Sequence, residues 1–86
     1  MEKEAVQVGK IKHYFPKIGV AVVEVTGSSI NTGDKIHIKG STTDFRQKVN
    51  SMQVEHDKVD IAQPGQEIGM KVDEPAREHD LVFKET

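Results

Sequence analysis

The apolar residues of this chain fall at every second position, in short runs that stop about every ten residues and repeatedly change phase. Alternation of period two places successive side chains on opposite faces of an extended strand, so each run reads as a β-strand with one buried face. Val6 and Val8 share a face, then Ile11, His13 and Phe15 continue with opposite parity, and Gly9-Lys10 at the switch marks a β-bulge. Phe15-Pro16-Lys17-Ile18-Gly19 is a turn, since proline lacks a donor and glycine relaxes φ. Further runs follow at Ile36 and Ile38, at Phe45, Gln47 and Val49, and at Met52 and Val54, with a second bulge near Asn50-Ser51. The last are Val59 with Ile61, Ile68 with Met70 and Val72, and Leu81-Val82-Phe83. Helical apolar spacing is never sustained. The pattern predicts an all-β fold, a small closed antiparallel β-barrel of six to seven strands.

Between these runs the turn chemistry recurs. In Asn31-Thr32-Gly33-Asp34, glycine supplies a positive φ and Asp34 is placed to bond its own downstream backbone, launching the strand Lys35-Ile36-His37-Ile38-Lys39 that Gly40 closes. The 86 residues make one domain, 1–86, with a core over about residues 5–84. The absence of cysteine excludes disulfides, thiolate metal sites and cysteine nucleophiles. The charged start Met1-Glu2-Lys3-Glu4 is unlike a signal peptide and no run approaches a membrane span, so a cytoplasmic protein with no membrane contact is expected.

Net charge is −2, but it is unevenly spread. Residues 9–48 hold seven Lys/Arg against three acids, whereas residues 49–86 hold four against nine. Lys10, Lys12, Lys35, His37, Lys39, Arg46 and Lys48 take the outward parity of three strands, and would form a basic stripe suited to RNA phosphates if those strands are neighbours. The few aromatics fall mostly at inward positions, which gives base stacking little support. Ile18 to Val23 is apolar at positions of both parities, so either a partner covers Gly19, Ala21 and Val23, or the small Gly19 and Ala21 permit close packing within the chain. His13, His37, His56 and His79 lack the close pairing of metal ligands, and no serine lies in a nucleophile-elbow sequence. No catalytic, cofactor or metal residue is assigned.

Several ordered landmarks carry a family resemblance: Gly9-Lys10-Ile11, Gly19-Val20-Ala21, Ile30-Asn31-Thr32-Gly33-Asp34-Lys35-Ile36, Val49-Asn50-Ser51-Met52-Gln53 with His56, and Ala62-Gln63-Pro64-Gly65-Gln66-Glu67-Ile68-Gly69. Together they resemble the second-domain β-barrel of elongation factor Tu and elongation factor 1 alpha. The phosphate-binding loop of those GTPases is absent, so GTP binding is not implied. The closing Gly-Asp of that family is replaced by His79-Asp80. The resemblance implies a non-enzymatic, translation-factor-like module that contacts RNA or a ribonucleoprotein. The layout, and Lys17 to Val25 above all, also resembles the accessory C-terminal barrel of collagenase-like peptidases, which implies instead a protein-interaction domain acting with an enzyme partner.

Overall fold

The computed structural model describes residues 5–85, and in that range it holds strands and turns but no helix. The charged start Met1 to Glu4 lies outside the described residues. The strands are β1 (Ala5–Phe15), β2 (Val20–Val25), β3 (Ile30–Asn31), β4 (Lys35–Lys39), β5 (Asp44–Lys48), β6 (Met52–Val54), β7 (Asp57–Val59), β8 (Ile61–Ala62), β9 (Glu67–Lys71) and β10 (Leu81–Glu85). Eight of them form one antiparallel sheet in the order β5-β4-β10-β1-β2-β9-β6-β7, and β3 pairs with β8 in a small second ribbon.

The long β1 is central, and it is bent twice. Its register against β10 slips between Gln7 and Gly9, at the bulge that the parity switch foretold. Against β2 it slips again between Ile11 and His13. This second bulge corrects the expectation that Ile11, His13 and Phe15 share a face. Ile11 opposes Val23 and is buried, whereas Tyr14 opposes Ala21 and packs on the core, leaving Phe15 43% exposed.

One core collects the inward residues of every long strand, including Val8, Ile11, Val23, Ile36, Ile38, Phe45, Met52, Ile68, Met70 and Val82. Two bulges in one strand sharpen the twist of the sheet and let its ends curl over this core. The sheet does not close into the expected barrel, because among the described residues no backbone ladder joins β5 to the far edge. A side chain stands in for it. Gln47 on β5 is buried, donates through Nε2 to the Lys71 carbonyl (3.0 Å) and accepts at Oε1 from the Asp73 N–H (2.7 Å). That amide ties the edge strand to the chain leaving β9. The elongation-factor barrel is thus replaced by an open, curled sheet with one side-chain latch.

Three turns share one design, and each launches a long strand. In Asn31–Asp34 the Asn31 N–H donates to the Asp34 carboxylate (2.8 Å), while the Asp34 N–H returns to the Asn31 carbonyl (3.0 Å). Gln63–Gln66 repeats both bonds with the Gln66 amide oxygen, and Arg77–Asp80 repeats them with the Asp80 carboxylate. The reciprocal pair satisfies two backbone groups that a sharp reversal would otherwise strand. The third position needs a left-handed backbone: Gly33 and Gly65 sit at φ 93°, and His79 at φ 74°. Asp34 also receives Lys84 Nζ at 3.4 Å, which fixes β10 over the first of these turns.

Candidate functional site

β2 is apolar on both of its faces, and the structure reverses the face expected to dock. Ala21 and Val23 are fully buried in the core, opposite Tyr14 and Ile11 of β1. Gly19 belongs to the hairpin turn, where its φ is 64° and its N–H donates to the Phe15 carbonyl. None of the three presents an apolar side chain to a partner. Because every residue from Ile18 to Val23 is apolar or glycine, the sequence fixes no phase there, and the bulge before His13 decides it.

The outer face belongs to Val20 and Val22, both only half-buried. Val20 lies beside Phe15, and Val22 lies between His13 on β1 and Gly69 on β9. The His13 and Phe15 rings meet edge to face, with centroids 4.4 Å apart. Ile18, at the tip of the hairpin, is 57% exposed, and Lys71 pins its carbonyl at 2.7 Å. Gly69 adds no side chain, so the surface dips between Val22 and Gln53 into a groove of about 270 Å³ that reaches the β6–β7 hairpin at Glu55 and His56. An apolar strip that is anchored at its tip and hollowed at Gly69 has the character of a contact surface rather than of a solvated sheet face. Charged residues rim it: Lys12 and Glu24, 4.0 Å apart, and Lys71.

The basic stripe is only partly assembled. Lys35, His37 and Lys39 on β4 do neighbour Arg46 and Lys48 on β5, with Lys35 directly opposite Lys48. β10 intervenes between them and Lys10 and Lys12 on β1. Acids are interleaved with the basic residues. Asp44 accepts a hydrogen bond from His37, Glu85 pairs with Arg46 at 3.1 Å, and Glu24 faces Lys12. The bond from His37, with help from Lys39 and Arg46, holds the Asp44 carboxyl below its ordinary range, although loss of water acts the other way. Three of the seven expected groups thus have an acid partner within the chain, and the stripe is a mixed-charge face.

Among the described residues, no group of three or more His, Asp or Glu side chains is arranged to hold a metal ion. The histidines are dispersed, with His13 on Glu78 (3.2 Å), His37 on Asp44, and His56 and His79 in turns. Sequence reasoning missed two features. Gln47 was placed on an inward face, and a polar residue between Phe45 and Val49 was the available signal. The other is a cleft formed where the Arg77–Asp80 turn meets the turn after β4.

No protein-family model matches the chain. It is 36% identical over 84 residues to an uncharacterized protease of Methanocaldococcus jannaschii, and 35% identical over 83 residues to a collagenase of Porphyromonas gingivalis. These alignments take in 94% and 95% of the chain but 20% of each relative, so the chain spans about one fifth of the length of the curated proteins it matches. The C-terminal domain of a putative U32 peptidase from Geobacillus thermoleovorans superposes with a TM-score of 0.87 at 25% identity, over 94% of this chain and 93% of that one. The selenomethionine variant of that domain gives 0.82 at 24% identity, over 88% and 95%. The protease relatives overturn the kinship expected with the second domain of elongation factor Tu, and with it the translation and RNA-binding roles. In fold and in sequence, this chain is similar along nearly its whole length to the C-terminal domain of a U32-type peptidase.

Proposed function

We propose that this chain is a non-catalytic accessory β domain that acts with a peptidase and docks on it through the outer face of the β1–β2 hairpin. The observation that carries this reading is the uncovered apolar strip Phe15, Ile18, Val20 and Val22, continued by the hollow at Gly69. Its support is the similarity of nearly the whole chain to one fifth of two proteases, whose remaining length offers a natural partner surface. A domain of this kind positions a substrate or braces the peptidase, and the chemistry stays with the larger partner. The strip is narrow and rimmed by charges of both signs, which suits a specific contact of modest area.

The test is direct binding of the purified chain to the peptidase region of a U32-type protein from the same organism. Saturable association is expected, and Val22→Asp weakens it at least tenfold, because it places a charge at the centre of an apolar contact. Lys48→Glu, on the far edge of the sheet, leaves it intact. Absence of association at micromolar concentrations, or an affinity indifferent to Val22→Asp, would refute the reading.

A further inference from the structure

Of the three reciprocal turns, only Arg77–Asp80 puts a side chain where the other two put glycine. Left-handed backbone is unfavourable for most residues that carry a Cβ, and strained non-glycine residues gather at ligand sites. His79 lines a cleft of about 360 Å³ between its own turn and the turn Gly40–Thr43. Gly40 lets the two turns approach, for a Cβ there would run into the Asp80 carboxylate.

Lys39, Ser41, Thr42 and Arg77 line the same cleft. Among the described residues, neither the Lys39 ammonium nor the Arg77 guanidinium takes part in an ion pair or a side-chain hydrogen bond. The two acids of the wall are already engaged. Asp80 is buried and accepts from the Arg77 N–H, and Glu78 bonds His13. Lys39 and Arg77 balance the charges of Glu78 and Asp80, but both acids spend their oxygens on partners within the chain while the two cations keep free donors. That arrangement suits an anion of single charge and disfavours a doubly charged phosphate.

We propose that this cleft binds a carboxylate of a protein chain, either a free C-terminus or an Asp or Glu side chain. Arg77 supplies a two-pronged donor, Lys39 a point charge, and His79, Ser41 and Thr42 single donors at the rim. The strain at His79 is retained for the donor that glycine lacks. The cleft stands apart from the apolar strip, and its test is independent of whether a peptidase docks there.

Amide NMR on the intact chain at neutral pH tests this with three probes: acetyl-trialanine with a free terminus, acetyl-Ala-Asp-Ala amide, and inorganic phosphate. One of the two peptides is expected to shift the Gly40, Ser41, Thr42 and His79 amides saturably, and the stronger one identifies the source of the carboxylate. Arg77→Gln and His79→Gly each weaken that binding roughly tenfold, while His79→Gly raises the melting temperature. The proposal is overturned if neither peptide saturates at millimolar concentration, or if phosphate binds more tightly than both. It is equally overturned if His79→Gly raises the melting temperature and leaves binding unchanged.

Discussion

His79 bears the backbone strain that Gly33 and Gly65 avoid at the same turn position. Replacing it with glycine relieves a left-handed side chain, less the extra freedom that glycine gives the unfolded chain. His79→Gly is therefore expected to stabilise the fold by about 0.5–1 kcal/mol and raise Tm by about 4 °C, read by calorimetry. Gly40→Ala acts in the opposite sense. Asp80 is held by the Arg77 N–H and cannot swing away from a new Cβ, so a loss of about 1–3 kcal/mol in urea unfolding is expected. Asp44 gives the fold a pH dependence. Its carboxyl titrates lower in the folded chain than its ordinary 3.8, so its contribution is present above that range and fades as pH falls through the folded value. Asp44→Asn flattens the acid limb of stability against pH, and a limb unchanged by the substitution would show that the His37 bond contributes nothing.

At the scale of the element, β1 shows how far alternation reaches. The switch at Gly9 was legible because glycine and a change of parity coincide there. The slip between Ile11 and His13 was not legible. His13 and Phe15 keep the parity of Ile11, and neither glycine nor proline interrupts Ile11-Lys12-His13. That one bulge turns Phe15 outward and sets the phase in which β2 presents Val20 and Val22, so missing it exchanged the outer face for the core face. The β6–β7 hairpin makes a separate point. Val54 pairs with Asp57, and both intervening residues, Glu55 and His56, have positive φ. This is the geometry that Asn-Gly prefers. The double replacement Glu55→Asn, His56→Gly is expected to stabilise the domain by about 1 kcal/mol. Slower exchange of the Val54 and Asp57 amides would accompany it.

For the whole molecule, strand content and turn positions were readable because each is a local property. Closure was not. Whether eight strands meet in a ladder or stop at a latch depends on contacts between distant segments, here Gln47 with Lys71 and Asp73. Gln47→Leu keeps the volume but strands a carbonyl and an N–H, so a loss of about 2–4 kcal/mol is expected, with β5 fraying first in hydrogen exchange. The basic residues were legible as a list, and their neutralisation by Asp44 and Glu85 was not, since Glu85 reaches Arg46 from a strand 39 residues away in sequence. The central claim is that the outer face of β1 and β2 is where a peptidase meets this domain. Methyl NMR of the labelled chain with the unlabelled peptidase region added tests it most directly. Broadening or shifts confined to Ile18, Val20 and Val22, with the buried Val23, Ile36 and Ile38 unmoved, is the predicted result. Perturbation centred instead on β4 and β5, or none at any added concentration, would contradict it.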